Sequence, residues 1–414
     1  MPERETASRA EIAQRVVYWR KRRGFTRQLF ADRMGRSVSW VDMIQRGDRQ
    51  LDRLSVLEQI AEVLEISVYT LIDREEAERT AACVGDAEVQ AIREALGRYP
   101  SLAARSGRPV SVAAVQRQAA YLDHAWLASR FAVVAQYLPK LLDDAQAAVQ
   151  TAPDAERVDA YRVLVTAYRL ASSMLLKFEA RDIAWLAADR AMHTALVADD
   201  TWSLARATRS VARAMTSSQQ GPEAIAALLN MADRMRSEVA GNESHLLSLY
   251  GMLYLAASIT AAEQEDAALA RDMHVEAEAE AEAEAAADRM VPHYETHYTD
   301  FGTTNVLIHR VAALVRLYEA GHALEFAATI GPAAIMALSP ERRANYLLDL
   351  TEAHSRTGDY RQAARHLLQA EQVAAEEVRC RPLAHGLLRS LLDNTSGESV
   401  RLVRDMATRA GVTA

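Results

Sequence analysis

The residues whose types and spacing most clearly suggest chemistry are basic and lie near the start of the chain. The 414-residue sequence carries a formal net charge of −8. From Arg15 to Arg53, however, eleven arginines and lysines stand against four acids, a local excess of seven positive charges. A basic patch on an otherwise acidic chain is typical of proteins that meet nucleic-acid phosphates at one end. The pattern predicts a nucleic-acid-binding segment near the N-terminus.

Short helices must position these basic side chains. Thr26 and Ser37 are good N-cap residues, and Gly35 is a helix stop between them, so two helices joined by a short turn are expected. A helix, a glycine-containing turn and a second helix form a helix-turn-helix. The predicted helices are Arg9–Arg22, Arg27–Met34, Val38–Arg46, a fourth marked by Leu54, Leu57, Ile60, Ala61 and Leu64, and a short fifth marked by Val68, Leu71 and Ile72.

The stretches from Phe25 to Gly47 and from Leu54 to Ser67 resemble the XRE (phage-repressor-like) five-helix domain. The family pattern is matched at Phe30, Ala31, Gly35, Ser37, Ile44 and Gly47. It is not matched at Arg27, where glutamine is usual, or at Gln45, where glutamate is usual. The resemblance implies a DNA-binding domain over residues 1–75.

In a helix-turn-helix the second helix enters the major groove with its first residues, while the preceding helix crosses the backbone. Trp40 is predicted either to lie against sugar and phosphate or to pack inside, and Val41 and Ile44 are predicted to face the core. For the arginines the alternative to phosphate contact is a solvated surface charge. The candidate DNA-binding residues are Arg20, Arg23, Arg27, Arg36, Ser37, Val38, Ser39, Trp40, Asp42, Met43, Arg46 and Arg49.

The remainder of the chain, after a partly helical connector at 76–110, reads as helices of about 12 to 22 residues separated by short breaks. Leu347, Leu350, His354, Gly358, Tyr360, Ala363, Leu367 and Ala370 match the tetratricopeptide pattern. The predicted pairs include Ala160–Lys177 with Asp182–Val197, Trp202–Thr216 with Pro222–Val239, and Ser244–Ala262 with Asp266–Asp288. Residues 111–414 therefore resemble a tetratricopeptide-like α-solenoid, so the fold class is predicted to be all-α.

The segment from Pro292 to His309 is unusual because it is rich in histidine and aromatic residues at the start of a predicted helix. His293, His297 and His309 could bind a metal, or they could be ordinary polar residues at an irregular repeat junction. They could also line a groove in which the Asn305 amide pairs with a ligand backbone. On the last hypothesis the ligand-binding residues are His297, Tyr298, Asn305, His309 and Arg316. Neither a bound metal nor a cofactor is expected.

No catalytic motif stands out, so an enzyme is not expected. The N-terminus lacks an apolar signal core, and no apolar run reaches membrane-spanning length, which predicts a cytoplasmic protein without a membrane partner.

The combination of the two parts resembles the peptide-sensing regulators called RRNPP. That resemblance implies a homodimer on a palindromic double-stranded DNA operator, with a peptide or small signalling molecule controlling operator binding. The alternative is a DNA-localised module whose helical array docks a partner protein.

Overall fold

The computed structural model describes residues 9–22, 25–45, 54–64, 71, 84–98, 110–240, 246–290, 301–397 and 399–412. Every regular element within these ranges is a helix, which confirms the all-α prediction. The chain divides into two compact units, Met1–Ala87 and Glu88–Ala414. None of the described helices is both long enough and apolar enough to cross a bilayer.

The first unit contains four described helices whose bounds agree with the predicted ones to within about a residue. They are α1 (Arg9–Arg22), α2 (Arg27–Arg33), α3 (Val38–Gln45) and α4 (Leu54–Leu64). Apolar residues recur on one side of each helix and meet in a common core. Phe30, Ile60 and Leu64 are fully enclosed at its centre, and Leu71 packs against it. Of the predicted fifth helix, only Leu71 lies within the described residues.

The second unit begins within α5 (Asp86–Gly97), inside the stretch predicted as a connector. This helix is fixed to the body rather than spanning a gap. Arg98 donates to both oxygens of Asp143 at 2.9 Å, and the Arg93 guanidinium lies 3.3 Å from the Asp182 carboxylate. The unit therefore starts well before residue 111, the predicted beginning of the helical array.

The body consists of sixteen further described helices, several of which begin and end within three residues of the predicted pairs. They are α6 (Val112–Leu127), α7 (Phe131–Thr151), α8 (Arg157–Lys177), α9 (Arg181–Ala198), α10 (Thr201–Ser217), α11 (Gly221–Ala240), α12 (Leu247–Glu263), α13 (Ala267–Met290), α14 (Thr303–Arg316), α15 (Ala320–Ala327), α16 (Pro332–Ala337), α17 (Pro340–Arg356), α18 (Tyr360–Val373), α19 (Ala375–Arg379), α20 (Pro382–Asn394) and α21 (Ser399–Ala410).

The alternate helices from α6 to α14, followed by α17, form an inner row. Helix α6 packs on α8, α8 on α10, α10 on α12, α12 on α14, and α14 on α17. Helix α17 in turn contacts α6, so the inner row returns to its own start. The sequence predicted a tetratricopeptide-like solenoid with a concave groove, and the helices of this row line a cavity.

Buried charges hold this closure. Lys177 Nζ lies 2.9 Å from Glu341 Oε1 and 2.6 Å from Glu377 Oε1, and the same ammonium lies 4.7 Å from the centre of the Trp126 ring. Glu376 Oε2 accepts a hydrogen bond from the Ala132 amide at 2.8 Å, in the first turn of α7. Residues more than 160 positions apart are thus joined by direct ionic contacts.

Candidate functional site

The turn between α2 and α3 is built from local capping interactions. The Thr26 hydroxyl accepts from the Leu29 amide at 3.1 Å, and the Ser37 hydroxyl accepts from the Trp40 amide at 3.2 Å. Gly35 adopts φ +61°, a conformation that L side chains rarely take. The predicted caps and helix stop are confirmed, and they fix the angle at which α3 follows α2.

The outer face of α2 and α3 carries most of the described DNA-binding candidates. Arg36, Ser37 and Ser39 are exposed, and Val38 and Met43 are half-buried. Such a face can offer guanidinium groups to phosphates and hydroxyls to base edges.

One ion pair joins the two helices across that face. Arg27 Nη1 lies 3.1 Å from Asp42 Oδ1, and the Arg27 side chain is 60% exposed. Arg27 thus stands at the N-terminus of α2, where a phosphate is favoured, while Asp42 already holds it in place.

Two predicted DNA contacts lie inside the unit instead. Arg20 is 7% exposed and donates to the Phe25 carbonyl, so its guanidinium ties the end of α1 to the start of the turn. Trp40 is 5% exposed and belongs to the core, which supports the packing alternative, and Val41 and Ile44 face the core as predicted. The candidates Arg23, Arg46 and Arg49 lie outside the described residues.

A cavity of about 520 Å³ lies between the inner helices of the body. This volume is within the range of small-molecule sites. One side of its wall is apolar, formed by Met252, Leu255 and Ile259 from α12 and by Ile308 and Ala312 from α14. The other sides carry charged and polar groups, so the cavity could hold a ligand with an apolar part and a charged part.

Three of the predicted ligand-binding residues are near this cavity, and they have different surroundings. His309 and Arg316 line its wall, whereas Asn305 is 1% exposed and is not one of the lining residues. The Asn305 amide contacts the Met252 sulfur at 3.7 Å. His297 and Tyr298 lie outside the described residues, and within the described part no group of three or more His, Cys, Asp or Glu could hold a metal ion.

His309 has a defined hydrogen-bonding role. Its Nδ1 is 2.8 Å from the Asn305 carbonyl oxygen, so the ring donates there and leaves Nε2 as an acceptor. Burial, with the positive charge of Arg342, lowers the pKa of His309 to about 3, so the ring is neutral at physiological pH.

Arg316 is already paired. Its guanidinium lies 3.4 Å from both the Asp349 and the Glu263 carboxylates and donates to the Ala312 carbonyl at 2.8 Å. A ligand carboxylate at Arg316 would have to share it with these two acids.

A smaller cavity of about 60 Å³ adjoins the large one. The two share Trp126, Arg209, Arg213 and Arg342 in their walls. Enclosure by the surrounding helices, together with the charges of Arg342 and Arg213, lowers the pKa of Arg209 well below its ordinary value. The charges where the two cavities meet are therefore crowded and of one sign.

The comparisons with known proteins concern the N-terminal region alone. Over 62 residues the chain is 32% identical to the HTH-type transcriptional regulator SinR of Bacillus subtilis (strain 168). The match covers 15% of this chain. It spans 56% of the relative's own length, which is less than two thirds. No family model matches the chain, and no solved structure matches it.

Sequence reasoning missed the arginines of the cavity wall. Arg206, Arg209 and Arg213 follow one another at helical spacings of three and four on α10. A basic stripe on a helix otherwise rich in alanine and small residues was the available signal, since such residues share one helix face. Only the packing of α10 into the inner row turns that stripe toward a cavity.

Proposed function

We propose that the protein is a DNA-binding transcription regulator whose helical body binds a ligand and thereby controls DNA binding. The observation that carries the DNA-binding part is the 62-residue similarity to an HTH-type transcriptional regulator. The exposed groups on α2 and α3 agree with it, as does the local excess of positive charge. On this proposal the start of α3 enters the major groove and Arg27 contacts a phosphate.

Two substitutions separate the proposed roles on DNA. Arg27→Ala should weaken binding to all sequences alike, because a phosphate contact carries no sequence information. Ser39→Ala should change the preference among sequences, because a base contact does. Arg401, on α21 of the body with a side chain 92% exposed, provides the control Arg401→Ala.

The assay is fluorescence anisotropy with DNA selected from a random pool by the full-length protein. Affinity should fall steeply as salt rises, since each neutralised phosphate releases counterions. If the Arg27 and Ser39 variants bind every sequence as the Arg401 variant does, the helix-turn-helix does not contact DNA.

The proposed assembly is a homodimer. One helix-turn-helix buries little DNA surface, so most such proteins bind paired half-sites as dimers. Sedimentation of the full-length protein at micromolar concentration tests this, and a single species of monomer mass contradicts it.

The ligand-sensing part of the proposal rests on the cavity. Its volume lies within the range of small-molecule sites, which favours a small ligand over docking of a partner protein. His309 would accept from the ligand, Arg316 would contribute charge, and Asn305 would hold His309 through its carbonyl group. His309→Phe should remove the DNA-binding response to a ligand while leaving DNA affinity without ligand unchanged; an unchanged response would exclude His309 from the site.

A further inference from the structure

The two cavities of the body meet at three guanidinium groups, those of Arg209 and Arg213 on α10 and of Arg342 on α17. Among the described residues, Arg209 forms no ion pair, and its Nε has no hydrogen-bond partner. Arg213 donates to the neutral Ser173 hydroxyl at 3.3 Å. Neither guanidinium is therefore neutralised by a direct carboxylate contact.

The nearby carboxylates are engaged with other cations. Asp123 pairs with Arg169 and lies 3.7 Å from Arg206. Glu341 lies 2.9 Å from Lys177, and its distance to Arg342 is a longer 3.7 Å. Among the described residues, Arg342 alone of the three has a carboxylate within 4 Å, and that carboxylate, Glu341, is shared with Lys177.

The walls of the two cavities together carry more positive than negative charge. The basic lining residues are Arg169, Lys177, Arg181, Arg206, Arg209, Arg213, Arg316, Arg342 and Arg381, and the acidic ones are Asp123, Glu179, Glu263, Glu341 and Asp349. Like charges held together in a partly buried site repel one another more strongly than in water, which destabilises this arrangement of the walls. Burial lowers the pKa of Arg213 to about 10; the charge of Glu341 opposes this shift, and the charge of Arg342 adds to it.

An anion with two negative charges would relieve this repulsion. Guanidinium groups bind phosphate oxygens through paired hydrogen bonds, and a phosphate monoester carries close to two negative charges at neutral pH. A single carboxylate supplies half of that charge. The apolar wall at Met252, Leu255 and Ile259 would then contact an apolar part of the same ligand.

We propose that the cavity binds a phosphorylated small molecule, with the phosphate on Arg209, Arg213 and Arg342 and an apolar part against α12. This proposal specifies the class of ligand that the helical body would sense. Only the effect of that ligand on DNA binding rests on the proposed regulatory function.

The test uses calorimetry on the full-length protein with phenyl phosphate as the probe. Phenol lacks the charge, phenyl sulfate has one negative charge, and inorganic phosphate lacks the apolar part. Phenyl phosphate should bind at least about tenfold more tightly than each of these, in keeping with the strength of charge-assisted hydrogen bonds. Binding that is equal for phenyl phosphate and phenol would overturn the proposal.

Two arginine variants, one a test and one a control, show whether the phosphate binds at Arg209. Arg209→Gln should weaken phenyl phosphate binding by about tenfold or more. Arg234→Gln is the matched control, because Arg234 pairs with Asp199 on the surface and its side chain is 51% exposed. An Arg209 variant that binds as tightly as the Arg234 variant contradicts the assignment.

Thermal unfolding distinguishes a binding arginine from a structural one. Without ligand, Arg209→Gln should unfold at the same temperature as the parent or higher, because it removes like-charge repulsion. If Arg209→Gln does not fold, the arginine is structural, and thermal unfolding of the parent protein then decides. Stabilisation of the parent by phenyl phosphate but not by phenol, at equal ionic strength, would support the proposal, and any other result would contradict it.

DNA binding is measured separately, so the two proposals fail in different ways. Phenyl phosphate binding without any DNA affinity would support the phosphate site and reject the regulator. DNA binding together with a preference for acidic peptides over phenyl phosphate would support the regulator and reject the phosphate ligand.

Discussion

Replacing Lys177 by methionine should destabilise the body by about 3 kcal/mol. The ammonium is 2.9 Å from Glu341 and 2.6 Å from Glu377, and the side chains of the three residues are 4%, 8% and 0% exposed. Methionine keeps the apolar stem but leaves two carboxylates in a site that excludes water. Removing one member of a buried pair costs about 3–5 kcal/mol. The lower end applies because Arg381 remains 3.0 Å from Glu377 and Arg342 remains 3.7 Å from Glu341.

The rings around the ammonium add to this cost. Lys177 Nζ lies 4.7 Å from the centre of the Trp126 ring and 4.5 Å from that of Phe131. A desolvated cation–π contact is worth about 2 kcal/mol. The methionine sulfur would contact the same rings and so offset part of the lost cation–π energy. The total loss of stability therefore stays near the value estimated for the ion pairs.

Urea unfolding of the full-length protein, followed by circular dichroism, measures the effect on the transition of the body. Lys140 provides the matched control, because its side chain is 67% exposed and pairs with Asp144 one helical turn away. Lys140→Met should change the free energy of unfolding by no more than about 0.5 kcal/mol. Adding Glu341→Gln and Glu377→Gln to Lys177→Met should recover part of the loss, since no buried carboxylate is then left without Lys177. The recovery is incomplete because Arg381 loses its contact with Glu377 and Arg342 loses its contact with Glu341.

A loss of stability for Lys177→Met no larger than that for Lys140→Met would show that the buried ion pairs of Lys177 contribute little to the stability of the body.

Three further outcomes follow from particular contacts. Burial raises the pKa of Glu376 to about 7, above the value near 4.5 expected in the unfolded chain. The contribution of the protonated Glu376 side chain to stability is therefore present below pH 4.5 and is lost as the pH rises toward 7, and Glu376→Gln should flatten that part of the pH–stability profile. Gly251→Ala should lower the free energy of unfolding by about 1–3 kcal/mol, because the new Cβ would lie 2.0 Å from Phe301 Cζ, whereas Gly386→Ala, with nothing within 4 Å, should raise it by up to about 1 kcal/mol. Thr26→Ala should cost about 1 kcal/mol in the N-terminal unit, measured by urea unfolding, and an unchanged midpoint would mean that the cap contributes nothing.

The N-terminal unit was predictable because its signals are local. N-caps at Thr26 and Ser37 and a stop at Gly35 act on residues within a turn of themselves, so helix bounds follow from the sequence. Burial is less local. Arg20 belongs to a basic run, yet its side chain turns inward to the Phe25 carbonyl, and only the packed unit reveals this.

The sequence alone determined that the body is a series of paired helices, because periodicity and chain breaks set helix length. It did not determine that α17 returns to α6, or that α10 presents its arginines to a cavity. Those features depend on contacts such as Lys177 with Glu341 and Glu377, which are 164 and 200 residues apart. No local pattern specifies which distant carboxylate a lysine meets, since that pairing is fixed by how all the intervening helices pack.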